Sequence, residues 1–378
     1  MKTIRLLIVA VTVLAMTVTA FAREQYVPTG AALHLNVAQM GMGGLTTTIA
    51  TNAHTPFYNP AMLNRQKFAL EINIPFGFKS ELLDLANFIS DHQDDFTRFD
   101  SLSGPEQEAF LKDSESLDDK WFGLQVAPYF GLAFKHFGIG AYQTINAQTK
   151  LDQGVFSPAV GLRAYGDFVF GVGYGWSMSI LGQDWDVGAT FRSIQRRSVA
   201  PKRISAADAG AIEDLVATMQ EELEESKSGF GIDFGAVRTL ELGEPGSGQG
   251  LDIAVVLQDA IGSLDGYMKP NLKFGAMYHM PFAGGALLKR WDFGAEYNDF
   301  LNREGVSIFQ KINLGTEMNM LAGLIKLRGG FHQGYPTYGL GVSLLFLKLD
   351  VAKYTTELGT KPGQQPDDLL LFSLTLGW

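Results

Sequence analysis

Histidine, serine and glycine supply most general bases, nucleophiles and phosphate-binding loops, so they are the first residues to weigh for chemistry. No two histidines have the spacing of a metal pair on a helix, and no Gly-x-Ser-x-Gly nucleophile elbow occurs. The glycine-rich run 171–175 lies in an alternating segment without a following helix, which favours packing over a nucleotide loop. The sequence therefore predicts no catalytic residue, metal site or cofactor, and a protein that is not an enzyme. The histidines are His34, His54, His92, His136, His279 and His332.

A second group of candidate residues is apolar and lies in the Gly-, Ala- and Thr-rich segment 23–66. Methionine adapts its shape to varied alkyl chains, so a greasy contact with a hydrophobic ligand is one interpretation of this group. The other is that these side chains anchor the segment to the surrounding protein, and the sequence leaves both open. The candidate ligand-binding residues are Met40, Met42, Leu45, Phe57 and Tyr58.

The C-terminal residues 370–378 alternate between large apolar and mostly small or polar side chains. A β-strand sends alternate side chains to opposite faces, so one face is a wall of Leu, Phe and Trp. This pattern is typical of an outer-membrane barrel, whose lipid-facing side is apolar and whose last strand closes the cylinder. It also resembles a sorting signal read by the barrel-assembly machinery. The signal residues are Phe372, Leu374, Leu376 and Trp378.

The N-terminus is typical of an export signal. Lys2 and Arg5 precede an apolar stretch, and small residues lead to a predicted cleavage between Ala22 and Arg23. The alternative is a single membrane helix, for which the stretch is short. Cleavage would change the net charge from −10 to −12, because two basic residues leave. That acidity argues against nucleic acid as a partner.

Beyond Ala22 no segment stays apolar for the roughly 18 residues of a membrane helix, which leaves the closed β-barrel as the membrane architecture. The 43 glycines and 12% aromatic residues fit such a barrel. We therefore predict an all-β transmembrane antiparallel barrel in the Gram-negative outer membrane, surrounded by its lipid. The fourteen predicted strands are 67–78, 120–134, 137–148, 154–165, 167–179, 184–196, 228–240, 249–258, 269–280, 288–299, 306–316, 319–331, 336–353 and 368–378.

Several local features accompany this pattern. Strand 336–353 changes parity midway, which predicts a β-bulge. His279 shares an inward face with Lys273 and is expected to be hydrogen-bonded in the lumen. Trp121, Trp176, Trp185 and Trp291 are expected in the interface girdles.

Two long connections, 79–119 and 197–227, are predicted to be helical loops. The first holds helices over 80–91 and from near Pro105, with Ser103 as a cap, and the second holds a helix capped by Ser205. With six strands before residue 200 the two loops fall on opposite sides of the membrane. Long loops normally share a side, so either the strand count is off by one or the second loop is periplasmic or folds into the lumen.

Residues 23–66 do not alternate, which predicts a hatch inside the barrel, followed by barrel residues 67–378. Glycines let a confined chain turn tightly, and prolines fix turns where no ladder partner exists. For the motif at 59–61, turn structure and gating both remain open. The proposed hatch motifs are Gly41, Met42, Gly43, Gly44, Asn59, Pro60 and Ala61.

These motifs, behind an export signal and ahead of about fourteen strands, resemble the start of FadL-type outer-membrane proteins. The stretch from Leu327 to Gln364 resembles the PorV/PorQ-like branch, and a TraF-like group shares the opening motifs. The resemblance implies a fourteen-stranded barrel with an N-terminal hatch. One difference is Leu45, where the family usually has alanine.

The resemblance implies two functions. One is transport of hydrophobic compounds such as long-chain fatty acids, with a hydrophobic small molecule as the ligand. The alternative is a PorV-like scaffold in protein secretion or surface attachment, with secretion-system proteins as partners.

Overall fold

The computed structural model is a closed antiparallel β-barrel with a segment of its own chain inside. It describes residues 36–49, 52–79, 82–118, 121–153, 159–205, 226–244, 246–264, 268–282, 287–357, 359–364 and 366–377. The predicted export signal and Trp378 lie outside the described residues.

The strands follow one another around the barrel in chain order. They are β1 Phe68–Phe78, β2 Trp121–Val126, β3 Tyr129–Phe134, β4 Phe137–Asp152, β5 Ala159–Ile180, β6 Gln183–Ser205, β7 Lys227–Glu241, β8 Gly250–Gly262, β9 Asn271–Pro281, β10 Leu288–Tyr297, β11 Ile312–Met320, β12 Ile325–His332, β13 Tyr335–Leu344, β14 Leu347–Glu357 and β15 Pro366–Gly377.

The barrel closes where β15 pairs with β1, in a register running from Glu71 opposite Gly377 to Phe78 opposite Leu370. Strands β2 and β3 both pair with β1 on one side and with β4 on the other, so they form one interrupted strand. The break falls before Pro128, which has no N–H to donate to the ladder. Counted this way, the barrel has the fourteen strands that the sequence predicts.

Two of the predicted divisions between strands were wrong in number, and these two errors cancel in the total. The described residues of predicted strands 154–165 and 167–179 form the single strand β5, because Gly166 continues the ladder between Ile145 and Arg197. The predicted strand 336–353 is instead the hairpin of β13 and β14. Its parity change is a turn at Leu345, where φ is +52°, and not a bulge. Predicted strands 306–316 and 319–331 also begin too early, because residues 308–311 form a helix and the turn between β11 and β12 lies at 321–324.

The corrected count settles the side of the second long connection. Five strands precede it, so it leaves the same end of the barrel as loop 79–119. We call this the long-loop end, and the opposite end the short-turn end. Residues 197–205 belong to β6 rather than to a loop, and Ser205 ends that strand. The helix predicted beyond it lies outside the described residues.

Two short helices precede β1, α1 Val37–Met40 and α2 Thr55–Tyr58. Loop 79–119 contains α3 Leu82–Thr97 and α4 Gly104–Ser114, and α5 Ile308–Lys311 precedes β11. The main-chain N of Ser103 donates to Oε2 of Glu106 at 2.8 Å, which supports the predicted cap. Phe122 and Leu151 point outward from the barrel wall, and helices α3 and α4 bury an apolar cluster against them. These helices therefore pack on the outer face of the barrel. None of the described helices has the length and apolarity needed to cross a bilayer.

The outer wall carries a continuous apolar belt. On β1, for example, Phe68, Ile72 and Ile74 are each about half exposed, while Ala69, Glu71 and Asn73 are buried toward the lumen. Such a surface would be unfavourable in water and is the expected face toward lipid. Further belt residues are Phe76, Phe130, Phe168, Phe170, Phe191, Phe234, Phe274, Phe293, Leu314, Phe331, Leu340, Leu349 and Leu374.

The short turns have an unusual backbone. Leu181, Leu321 and Leu345 adopt positive φ values of 53°, 49° and 52°. An L-residue with a Cβ pays roughly 1–2 kcal/mol in this region, which Gly, Asn and Asp tolerate better. Leucine at these positions is therefore a cost to folding that local structure does not explain.

Candidate functional site

The described part of the predicted hatch lies inside the barrel, and we call residues 36–49 and 52–66 the plug. It contains helices α1 Val37–Met40 and α2 Thr55–Tyr58, followed by a 3-10 helix Pro60–Asn64. Each element is a turn or so long. Asn36 caps α1, and prolines begin the other two, as expected for a chain that must fold tightly without ladder partners.

The plug approaches the barrel wall closely because the wall carries glycines there. A Cβ on Gly315 would lie 2.1 Å from the carbonyl oxygen of Met42. A Cβ on Gly188 would lie 2.4 Å from the carbonyl oxygen of Pro60. Main chain of the plug therefore rests on main chain of the wall, which is possible only where side chains are missing.

The Gly-Met-Gly-Gly motif fits one part of this contact. Gly41 lies against Gly339, and the N–H of Gly43 donates to Oγ1 of Thr337 at 3.0 Å. Gly43 and Gly44 have φ values of 72° and 73°, so the motif needs glycine for its turn as well as for its closeness to the wall.

Leu45, the position at which the family usually has alanine, packs against the wall at Gly294. A Cβ on that glycine would lie 2.5 Å from Cδ1 of the leucine. The missing side chain on the wall thus offsets the larger side chain on the plug.

The Asn-Pro-Ala motif joins the two halves of the plug. Asn59 Oδ1 accepts from the N–H of Ala61 at 3.1 Å, and its Nδ2 donates to the carbonyl oxygen of Thr47 at 2.7 Å. Asn59 and Ala61 are fully buried. These contacts account for a turn at this motif, while its role in gating stays a prediction.

The five candidate ligand residues are all buried between plug and wall. Phe57 meets Tyr142 edge to face, with ring centroids 5.1 Å apart, and belongs to an apolar cluster with Val169 and Ile194. Tyr58 lies beside His54, with ring centroids 6.4 Å apart. These contacts are what anchoring requires, so ligand binding stays a prediction.

The remaining three candidates contact other parts of the wall. Met40 packs with Tyr354 and Leu371, and both Met42 and Leu45 pack with Met277.

Glu296 of β10 is the wall residue that holds the first half of the plug. Its carboxylate accepts from the N–H of Thr46 at 2.8 Å, from Oγ1 of Thr46 at 2.9 Å and from the N–H of Thr47 at 2.7 Å. Glu296 is buried, so these charge-assisted bonds are not weakened by solvent.

Arg65 holds the other end of the plug. Its guanidinium donates to Asp186 of β6 at 2.5 Å and to Asp252 of β8 at 2.9 Å. Asn64 also donates to Asp186, at 2.5 Å. The plug is therefore bound to separate strands by polar contacts, which can be broken and remade without disturbing the barrel ladders.

His54 is a titratable group buried within the plug. Its ring stacks on Tyr129 with centroids 4.0 Å apart, and its Nε2 lies 3.5 Å from Oε2 of Glu71. Burial, with a smaller effect from the charge of Lys348, lowers the pKa of His54 to about 3. The imidazole is therefore neutral at physiological pH and contributes to packing.

A cavity of about 240 Å³ lies between the plug and the wall at the short-turn end. Ion pairs line much of it: Glu71 with Lys348 at 2.6 Å, and Arg328 with Glu317 at 2.6 Å and Asp350 at 2.5 Å. Its apolar part comprises Ala38, Met42, Ile49 and Met277, so Met42 is the candidate ligand residue that lines it.

His279 also lines this cavity. It contacts Asp292 at 2.8 Å and Asp252 at 3.1 Å, in agreement with the hydrogen-bonded lumen position predicted from sequence. Within the described residues, no cluster of three His, Asp or Glu side chains has the geometry of a metal site.

Sequence reasoning missed the roles of both Glu296 and Arg65. Glu296 alternates with outward aromatic residues along its strand. The sequence signal for its role was this charged residue within an otherwise regular alternation. Its partners lie some 250 positions away in the chain, which no local pattern can reveal.

Three of the predicted sorting residues, Phe372, Leu374 and Leu376, lie on the closing strand β15. Phe372 faces outward and stacks on Phe76 of β1 with centroids 5.2 Å apart, and Leu374 and Leu376 continue the same face. Trp176 and Trp291 face outward in the belt, as predicted for girdle residues. The side chain of Trp121 lies outside the description.

No protein-family model and no curated protein matches the sequence. Among solved structures, the toluene transporter TodX of Pseudomonas putida aligns over 92% of this chain and 98% of its own, with 10% identity and a TM-score of 0.44. The toluene transporter TbuX of Ralstonia pickettii aligns over 92% and 98%, with 11% identity and a TM-score of 0.37.

CdiB of Acinetobacter baumannii also aligns, over 83% of this chain, with 11% identity and a TM-score of 0.36. The chain spans 60% of the length of CdiB. TodX and TbuX are FadL-type transporters, the type that the sequence motifs resemble, while the PorV/PorQ-like branch stays a prediction. With TM-scores below 0.5, neither substrate nor mechanism is carried over.

Proposed function

We propose that the chain is an outer-membrane transporter of hydrophobic compounds such as long-chain fatty acids. The observation that carries the proposal is a membrane barrel whose lumen is occupied by its own N-terminal segment. A barrel without a plug would be an open pore for polar solutes, whereas a plugged one requires a movement before anything passes. The motifs that resemble FadL-type proteins are the residues that build this plug.

The plug has the contacts that a movable gate needs. Its apolar side chains lie against Met277 and Tyr142 of the wall, and a hydrophobic ligand could replace either contact with little loss of apolar burial. Burying an alkyl chain contributes about 0.8 kcal/mol per CH₂, diminished by the cost of ordering the ligand. A chain of ten or more carbons would thus offset several polar contacts between plug and wall.

The charged lining of the cavity restricts where such a ligand could lie. An alkyl chain gains nothing against the ion pairs of Arg328 and Lys348, so its contacts must be with Met42, Ile49 and Met277. Access to Phe57 requires the second half of the plug to leave the wall. We therefore place initial contact at the methionines and transport after plug movement.

The test is binding of isotope-labelled palmitate to the purified barrel by native mass spectrometry. Met42→Asp would put a charge against the alkyl chain at its first contact, so binding should fall by orders of magnitude while heat-modifiability persists. Phe57→Asp puts the charge at a contact reached only after plug movement and should lower binding less. Lys112→Asp, on an exposed position of α4, is the control and should bind like the native chain. If the native barrel binds neither fatty acid nor detergent, transport is the wrong function.

The alternative, a PorV-like scaffold in protein secretion or surface attachment, is favoured by the helices of loop 79–119. They form an ordered surface at the long-loop end that carries exposed acidic residues, among them Asp84, Asp91 and Glu108. A docking role predicts that deletion of residues 82–114 abolishes surface display of exported proteins. If the chain is a transporter without docking partners, the same deletion would leave surface display of exported proteins unchanged.

A further inference from the structure

Five leucines lie in the short turns or directly beside a strand end there, and we call them the turn-tip leucines. Leu181 is 97% exposed and Leu345 is 96% exposed, which leaves almost no protein in contact with either side chain. Each of the five turns that follow β4 at this end carries one. The set is Leu181, Leu242, Leu287, Leu321 and Leu345.

Backbone preference does not account for these residues. Leu181, Leu321 and Leu345 occupy positions of positive φ, which asparagine or glycine would fill with less strain and with better exposure to water. Leucine is therefore disfavoured at these positions both by the backbone conformation and by exposure to water. The same situation recurs at all three turns. If the turns met an apolar environment instead of water, the cost of exposing leucine to water would disappear.

The turn-tip leucines are continuous with the lipid-facing belt. Met178 and Trp176 lead along the outer face of β5 to Leu181, and Leu344 leads to Leu345. From Phe168 to Leu181 there are about 13 residue steps of ~3.4 Å at a tilt of ~40°, or roughly 34 Å. The apolar band of a barrel is about 25 Å tall, so the tips extend into the headgroup layer.

We propose that the turn-tip leucines insert into the boundary between headgroups and acyl chains of the leaflet that meets the short turns. The occupant of this surface is phospholipid, because on β5 and β13 it continues the belt to Leu181 and Leu345 without a polar break. On β7 and β10 a cation, Arg238 or Lys289, lies between the belt and the leucine. Trp176 and Trp185 lie at the level where such a boundary begins. In outer-membrane barrels short turns face the periplasm, so this leaflet is the inner one.

Insertion at this depth places the mouth of the lumen level with the membrane surface instead of above it. A hydrophobic compound that leaves the plug could then reach acyl chains without crossing a layer of water. This consequence rests on the proposed function. The depth of the leucines does not, since it requires only that the barrel spans a bilayer.

The chain has no cysteine, so single labels can be placed without background. Leu181→Cys and Leu345→Cys carry a nitroxide in barrels reconstituted into phosphatidylcholine vesicles, and collision with oxygen is compared with collision with a water-soluble nickel chelate. Controls are Ser247→Cys in the β7–β8 turn and Lys361→Cys at the long-loop end. The oxygen-to-nickel ratio should be at least several-fold higher at the leucines than at either control.

Equal ratios at all four positions would overturn the proposal, because the tips would then lie in water. Spin–spin broadening that appears only with fully labelled protein would also overturn it, since a second copy would then cover the tips. Neither outcome depends on fatty-acid binding, so failure here is distinct from failure of the transport function.

A second pair of variants tests the energetic role without a label. Leu181→Asn and Leu345→Asn suit the positive φ and should keep heat-modifiability in detergent. Folding into preformed vesicles should slow several-fold when both are combined. Vesicle folding at the native rate would show that the leucines do not enter lipid.

Discussion

Glu296 on the barrel wall accepts two hydrogen bonds from Thr46 of the plug, one from its main-chain N–H at 2.8 Å and one from its Oγ1 at 2.9 Å. Both residues are buried, and the carboxylate also takes the N–H of Thr47. Thr46 and Thr47, which follow the glycine turn and Leu45, are thereby fixed to one strand. Since the wall beside it is built from glycines, this carboxylate is the strongest polar hold on the first half of the plug.

Glu296→Ala should loosen the plug without opening the barrel. Two buried N–H groups would lose their acceptor, at a cost of about 1–3 kcal/mol each. Amide hydrogen exchange at Thr46 and Thr47 should then speed up by roughly 10-fold or more, because 1.4 kcal/mol is a factor of ten. Glu244→Ala, in an exposed turn, is the matched control and should exchange like the native chain. Unchanged exchange in Glu296→Ala would show that the plug is held by its apolar contacts alone.

Gly315→Ala should displace the Gly-Met-Gly-Gly turn. The added methyl would meet the carbonyl oxygen of Met42 at 2.1 Å, and neither main chain can yield cheaply. Overpacking of this kind costs about 1–3 kcal/mol. Gly329→Ala on the next strand is the control, because the nearest atom to its new methyl lies 3.9 Å away. The measurement is hydrogen exchange over residues 41–44, and equal exchange in the two variants would contradict the close contact.

The strand pattern was readable from sequence because lipid and lumen select opposite residue types along every strand. The two errors in the division of strands have physical causes. Gly166 looked like a turn, but it is paired on both sides and merely interrupts the row of side chains. The turn at Leu345 was missed because leucine is a poor residue for positive φ, and nothing in the sequence marked a hairpin there.

The plug was recognisable as a departure from alternation, but its contacts were not. Arg65 reaches Asp186 and Asp252, which lie more than a hundred positions away, and only closure of the barrel brings them together. The same holds for the wall glycines. From sequence alone, each of these glycines is only a residue that weakens a strand. Its role is clear in the structure, where Met42 or Pro60 of the plug packs against it.

Removal of Trp378 should impair assembly more than it impairs the finished barrel. Its neighbours on β15 form the seam with β1, where Phe372 stacks on Phe76 at 5.2 Å and the ladder runs from Gly377 to Leu370. That seam stays intact without the last residue. We expect a deletion of Trp378, or Trp378→Ser, to be lost in the periplasm and degraded.

The same purified variant should refold in detergent, which separates sorting from stability. Trp185→Ser removes an outward-facing tryptophan of β6, far from the closing seam, and is the control for loss of one aromatic ring. Native amounts of the Trp378 variants in the outer membrane would show that the residue is not a sorting signal.

Deletion of residues 23–66 should leave a folded barrel that conducts ions. The ladders of β1 with β15 and with β3 do not involve the plug, so the cylinder can close without it. The exposed lumen would be lined by charged groups such as Asp186, Asp252 and Glu296, which water can solvate once the plug is gone. We expect heat-modifiability to persist and single-channel conductance in planar bilayers to rise well above that of the full chain. Arg65→Gln, which weakens one end of the plug, should show brief openings between these two levels. A deletion variant that folds yet conducts no more than the full chain would mean that something other than residues 23–66 closes the lumen.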